Sequence, residues 1–195
     1  MQKVIFGFLV ALMLPLSGCN VLQNSLSSAY NLANCDYKYR SITQLSISGI
    51  NLSGGLTPLM IPRVLAILSG NVSSIPLKFT LNLDVNNPNQ GVAAFQSLLY
   101  MITIDDVRFT TGNFNQPFHI GAGETKVLPM DIGVDIAELM KNNSRSVVEN
   151  IVKNFLGLSD TPSKVTVQLK PSFKVGEQLF ASPVYIPVSF TFGGK

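Results

Sequence analysis

The chain has one histidine, His119, in 195 residues, and that scarcity excludes more chemistry than any motif supplies. No cluster of histidine ligands can be assembled, and the cysteine and histidine spacings of a zinc site are missing. A serine hydrolase triad would need His119 as its base. Asp105, Asp106 and Asp131 could serve as orienting acids, but no Gly-x-Ser-x-Gly elbow presents a nucleophile. Beside Pro117 and Phe118, His119 reads as a surface or structural residue. The segment Gly121-Ala122-Gly123-Glu124-Thr125-Lys126 lacks the Gly-Lys-Ser/Thr ending of a phosphate loop and precedes a strand rather than a helix. The acids Asp105-Asp106 read as a solvated turn, with too few oxygen ligands nearby for calcium. The expectation is a protein that is not an enzyme and holds neither metal nor cofactor.

Charge is scarce as well. Only 13% of the residues are charged and the formal net charge is +3. Lys and Arg are scattered rather than clustered, which leaves no electrostatic footprint for nucleic acid.

Uninterrupted apolar sequence is confined to the start. Lys3 is followed by an uncharged apolar run over residues 4–16, too short to span a bilayer and laid out as the n-region and h-region of an export signal. Then comes Leu16-Ser17-Gly18-Cys19, an apolar residue, two small ones and cysteine, which resembles the lipobox of bacterial lipoproteins. That resemblance implies removal of residues 1–18 as a signal peptide. It also implies a diacylglyceryl group on the Cys19 sulfur and an acylated new amino terminus, a covalent lipid in place of a cofactor. Each buried methylene stabilises insertion by roughly 0.8 kcal/mol, so two or more chains anchor where one binds marginally. Asn20, rather than an aspartate, after the cysteine implies sorting to the outer membrane, on its periplasmic face. With Cys19 acylated, Cys35 has no intramolecular partner and no disulfide can staple the fold. Cys35 is expected to pack as a small buried hydrophobe.

The remaining 177 residues suffice for one domain. Residues 19–40 read as lipid anchor and tether, in which Leu22, Leu26 and Tyr30 could share a helical face, and residues 41–195 as the folded domain. Its plainest strand is 77–85, where Leu77, Phe79, Leu81, Leu83 and Val85 alternate with polar residues. It stops at Asn86-Asn87-Pro88-Asn89, where asparagines bond their own backbone and Pro88 removes a donor. Alternation recurs over 100–104, 128–134, 165–169 and 184–192, with Leu45 and Ile47 suggesting one more strand. Strands polar on one side suit a mainly β, antiparallel two-sheet sandwich, in which Pro129 and Pro187 belong at edges or bulges. Two helices accompany it. One covers 135–156, with a polar interval at Asn142-Asn143-Ser144 and Gly157 as its stop. The other covers 62–69 and is apolar nearly all round, which implies a buried element or a plug.

The order of a short apolar segment, Ile75-Pro76-Leu77, a strand into Asn87-Pro88-Asn89, a second strand over 98–107 carrying Tyr100, and the turn Ile120-Gly121-Ala122-Gly123-Glu124-Thr125 resembles the late embryogenesis abundant type 2 family. The family is related to the water stress and hypersensitive response domain. The resemblance covers roughly residues 41–192. It implies a fibronectin/immunoglobulin-like β-sandwich with one or two accessory helices, and stress protection or interaction without catalysis. The expected partners are the membrane, through the lipid, and an unidentified envelope protein. A carrier of lipid or another small apolar ligand, with a pocket between the 62–69 helix and a sheet, is the alternative.

Overall fold

The computed structural model describes residues 27–70, 72–175 and 177–194. The signal peptide, the lipobox and Cys19 lie outside the described residues, as do Leu22 and Leu26. The chain is mainly β. Its strands, all paired antiparallel, are β1 Asp36–Ile47, β2 Ile50–Asn51, β3 Pro76–Asn86, β4 Ala93–Phe95, β5 Ser97–Ile104, β6 Val107–Phe114, β7 Phe118–Ile120, β8 Thr125–Asp135, β9 Ser163–Val175, β10 Gln178–Ala181 and β11 Ile186–Phe192. Three helices are α1 Ile61–Ser69, α2 Ile136–Asn142 and α3 Arg145–Phe155, and residues 27–33 are helical as well. One sheet has the order β2-β1-β3-β8. The second runs β10-β9-β5-β6 with β11 also on β9, and β4 pairs with β7. Among the described residues no helix is long and apolar enough to cross a membrane.

Alternation dictates the centre of the first sheet. In β3 the side chains of Leu77, Phe79, Leu81, Leu83 and Val85 are all buried, and β8 pairs with β3 in unbroken register from Pro76↔Asp135 to Asn86↔Thr125. β1 begins at Asp36, inside the stretch read as tether. Its register on β3 shifts between Tyr39 and Ser41 and again between Thr43 and Ser46, and Gln44 has a φ of 54°. Those irregularities break the period of two and conceal the strand in the sequence. The expected strand over 98–107 is divided by a tight turn, with Asp105 and Asp106 at φ 47° and 64°, so that Val107 opens β6.

Both prolines sit on edge strands. Within its sheet β8 pairs with β3 alone, and Pro129 lies opposite Asn82. β11 is bonded to β9 alone and Pro187 lies opposite Gln168. Neither position demands a donor on the open side.

The expected 135–156 helix is two helices. Asp135 caps α2 by accepting from the Ala137 and Glu138 amides. At its other end Asn142 Nδ2 donates to the Glu138 carbonyl and Asn143 Nδ2 to the Leu139 carbonyl, at 3.2 and 3.0 Å. Asn143 is extended and Ser144 precedes α3. Side-chain amides that satisfy the last carbonyls let the helix end there. α3 stops at Gly157, whose φ of 66° suits the left-handed residue after a helix, and the Leu158 amide reaches back to the Lys153 carbonyl at 2.9 Å.

Between the sheets Phe155 of α3 packs on Phe79, Phe109 and Phe192 with ring centroids 4.9, 5.7 and 4.9 Å apart. Tyr39 of the first sheet stacks on Phe190 of the second at 4.6 Å. A void that these rings leave with Ile42, Leu81 and Ile102 is about 10 Å³, no larger than one water. α1 departs from the expected buried plug. Val64 and Leu68 are buried, but Leu65 is 40% exposed and Leu59 just before the helix 92%. One stripe of α1 reaches the core and the rest faces outward.

Candidate functional site

The polar residues most densely connected in the described chain gather where β3 ends. Asn87 is fully buried. Its Nδ2 donates to the carbonyls of Gly91, Ile120 and Gly121 at 2.8, 3.1 and 3.0 Å. Its Oδ1 accepts from the Asn89 amide at 3.1 Å and from Asn89 Nδ2 at 2.8 Å. The Asn87 backbone is used as well, donating to the Glu124 carbonyl at 2.9 Å and accepting from the Gly123 amide at 2.8 Å. The Glu124 carboxylate in turn accepts from the Gly121 amide at 2.7 Å. Pro88 is exposed and fixes the backbone between the two asparagines.

This corner fastens the first of the described residues. Residues 27–33 are helical. Asn89 Nδ2 donates to the Asn31 carbonyl at 2.9 Å, and Asn31 Nδ2 donates to the Val92 carbonyl at 3.1 Å. Leu32 and Cys35 are buried against the core, whereas Tyr30 is 70% exposed. Tyr37 Oη donates to the Leu32 carbonyl at 2.9 Å, and the Cys35 thiol to the Asn31 carbonyl at 3.3 Å. Burial, with Asp36 adjacent, pushes the Cys35 thiol up to about 11, and burial raises Tyr37 too. A thiol held protonated is a poor nucleophile. Every polar atom of Asn87 is engaged, so this cluster holds structure together and leaves nothing to grip a ligand.

A second cluster joins the sheets. Tyr100 of β5 lies flat over Gly112 of the adjacent β6, where a Cβ would collide with the phenol ring and its oxygen. Its Oη donates to the Asp131 carbonyl of β8 at 3.2 Å, and Thr110 Oγ1 lies 3.4 Å from the Gly133 carbonyl. The open carbonyls of edge strand β8 are thus covered by side chains of the other sheet. Pro129 shares their parity, so its missing N–H falls on that same open side. Burial and then the neighbouring Asp131 raise the Tyr100 phenol above its ordinary value.

Beside this seam is a cleft of about 590 Å³, open to solvent and lined by Arg108, Thr111, Glu138 and Asn142 among others. Asp135 at its margin is already committed. Burial raises its carboxyl, but the Ser74 hydroxyl and the amides of Ile75, Glu138 and Ala137 outweigh that and hold it below the usual carboxylate value. The acids and base weighed in the sequence are scattered. His119 is exposed on β7, its carbonyl receiving Lys126 Nζ at 3.2 Å. Asp105 is bound at the opposite end of the sheets, accepting from the Lys164 amide at 2.8 Å. Asp131 accepts from Thr80 Oγ1 at 2.7 Å. Among the described residues no three His, Cys, Asp or Glu side chains group as metal ligands.

A model of the family described as late embryogenesis abundant protein, LEA_2, matches residues 82–189. That span includes Asn87, Pro88, Asn89, Tyr100 and Gly112. A crystal structure of a protein from Archaeoglobus fulgidus is 14% identical, covering 81% of this chain and 98% of that one, with a TM-score of 0.39. A solution structure of an Arabidopsis thaliana protein is 12% identical, with coverages of 61% and 72% and the same TM-score of 0.39. A further solution structure, described as that of a late embryogenesis abundant protein, is 13% identical, with coverages of 91% and 87% and a TM-score of 0.39. No curated protein matches.

Proposed function

The chain belongs to the late embryogenesis abundant type 2 family, and from that premise we propose a non-enzymatic lipoprotein of the bacterial cell envelope whose β-rich domain binds or shields another envelope component. Acyl groups on Cys19 hold it to the membrane, on the periplasmic face of the outer membrane, and its fold is a fibronectin- or immunoglobulin-like sandwich. Protection under stress is the role the family resemblance suggests.

The observation that carries this reading is where the apolar side chains are spent. The void lined by Phe155 and Leu81 between the sheets is about 10 Å³, far below the roughly 300–1,000 Å³ of a typical ligand pocket, and the cleft of about 590 Å³ beside Asp135 is open to solvent. Meanwhile Leu59, Leu65 and Val72 around α1 stay exposed. A carrier of lipid or another apolar ligand needs the reverse arrangement, an internal cavity and a covered outside. The interaction module is therefore favoured over the carrier.

Replacing Cys19 by Ala tests the anchor: metabolic labelling with a fatty acid should fall to background and the protein should leave the membrane fraction. Labelling that persists, or a native product still bearing Met1, overturns it. Crosslinking in intact cells, with recovery of a defined envelope protein, tests the module. Stoichiometric copurification of phospholipid with the folded domain would support the carrier instead.

A further inference from the structure

β9 outruns its sheet. Its ladder with β5 ends at Ser97↔Ser172, yet the strand continues to Val175 with β10 as its partner, Leu179 opposite Lys174 and Phe180 opposite Phe173. Three further residues at about 3.3 Å each carry this hairpin roughly 10 Å past the end of β5. All four residues of β10 are exposed, Leu179 and Phe180 by 58% and 50%. Val184 and Tyr185, which lead into β11, are exposed as well.

The position of this apolar projection is as informative as its composition. The Gln96 amide donates to the Ser172 carbonyl at 2.8 Å, and β4, directly before it, pairs with β7, whose Ile120 carbonyl receives Asn87. The hairpin therefore leaves the domain at the end where Asn89 and Asn31 fasten residues 27–33. Only eight residue steps separate Ser27 from Cys19, a span of at most roughly 28 Å. A lipid on Cys19 is therefore tethered close to this end, whereas α1 precedes β3 at the far end of the sheets.

The chemistry fits a phospholipid interface. Lys170 Nζ stands 5.3 Å over the Tyr185 ring, and a lysine with an aromatic ring beside exposed leucine and phenylalanine is the combination that places apolar bodies among acyl chains and polar tips among headgroups. Glu177 in the turn is the one acid of the hairpin. We infer that the β9–β10 hairpin, with Val184 and Tyr185, inserts into the headgroup layer of the bilayer that holds Cys19, giving the domain a second and non-covalent membrane contact. This rests on the lipoprotein reading and adds to it an orientation, with α1 turned away from the membrane.

The chain has no tryptophan, so a single introduced indole reports its own depth. Full-length acylated protein carrying Phe180→Trp, Leu179→Trp or Leu65→Trp is reconstituted into vesicles of phosphatidylethanolamine and phosphatidylglycerol, with and without brominated acyl chains. Insertion by 5–10 Å or so should give the two hairpin reporters about a twofold loss of emission to bromine, and the Leu65→Trp control none. Protein that floats with the vesicles while both hairpin reporters stay unquenched overturns the contact and leaves the anchor standing. So does quenching of the Leu65→Trp control to the same degree, which would mean no fixed orientation. Protein that lacks the acyl mass and stays in the supernatant overturns both readings.

Discussion

Asn87 is a motif residue whose side chain is spent on structure. Its side chain is a buried hub with two protons shared among three carbonyls and an oxygen shared by two donors of Asn89. Truncation leaves those carbonyls unsatisfied, and a buried orphan costs about 1–3 kcal/mol. Asn87→Ala should destabilise the domain by about 3 kcal/mol, read as a lower urea midpoint. Asn87→Asp should do no better, because it turns acceptors toward acceptors. Cys35 yields a prediction about protons. Its folded-state value near 11 lies above the ordinary 9, so between those two pH values the unfolded chain releases a proton that the folded chain keeps. Stability is full below that window and falls as pH rises through it. At neutral pH the Cys35 thiol should react with a maleimide only after unfolding, and labelling of native protein at the rate of a free thiol would contradict its burial. The sequence announced Asn87-Pro88-Asn89 as a turn. It could not announce Asn31, because a hydrogen bond across 58 residues leaves no periodic trace.

Elements were legible wherever the period was clean. β3 and β8 alternate without interruption, and their expected spans match the observed ones to within three residues at either end. β1 shows in the sequence only at Leu45 and Ile47, because two register shifts and the left-handed Gln44 spoil its alternation. β6 lies almost wholly beyond the expected strand, which ends at Val107, and is not marked by alternation because its outer half, Thr110 to Asn113, is polar on both faces. Helix periodicity ran correctly through both α2 and α3 but cannot report that Asn142 and Asn143 fold back on the carbonyls behind them. α1 misled for a different reason: an apolar helix implies burial only if something covers it. The contact between β5, β6 and β8 supplies a test at this scale. Gly112→Ala should push Tyr100 from its seat, lose the Asp131 bond and cost about 2 kcal/mol. In a Tyr100→Ala background the same change should cost far less, so the double-mutant cycle should be strongly non-additive. Additive losses would mean that Tyr100 does not lie over Gly112.

The described residues enclose one core between two sheets, closed by Phe155. Leu81→Asp places an unpaired charge in it, beyond the reach of solvent, and should cost ~4 kcal/mol or more, enough to abolish cooperative unfolding in a domain of ordinary stability. Phe155→Ala should cost 3–5 kcal/mol or so by the cavity it leaves, and retained native near-ultraviolet dichroism at unchanged stability would contradict the tight packing. Family and core both followed from order and alternation, while the projecting hairpin did not. β10 alternates nothing, being exposed on every residue, so no periodic signal could mark it.

The clamp that secures residues 27–33 also sets a height. β3 spans its eleven residues from the corner at Asn87 to the neighbourhood of α1, about 36 Å at the usual rise of a strand. If Cys19 is acylated and the β9–β10 hairpin enters the bilayer as proposed, the outward stripe of α1 stands off that surface by about that distance, and a partner of α1 must meet it at that level.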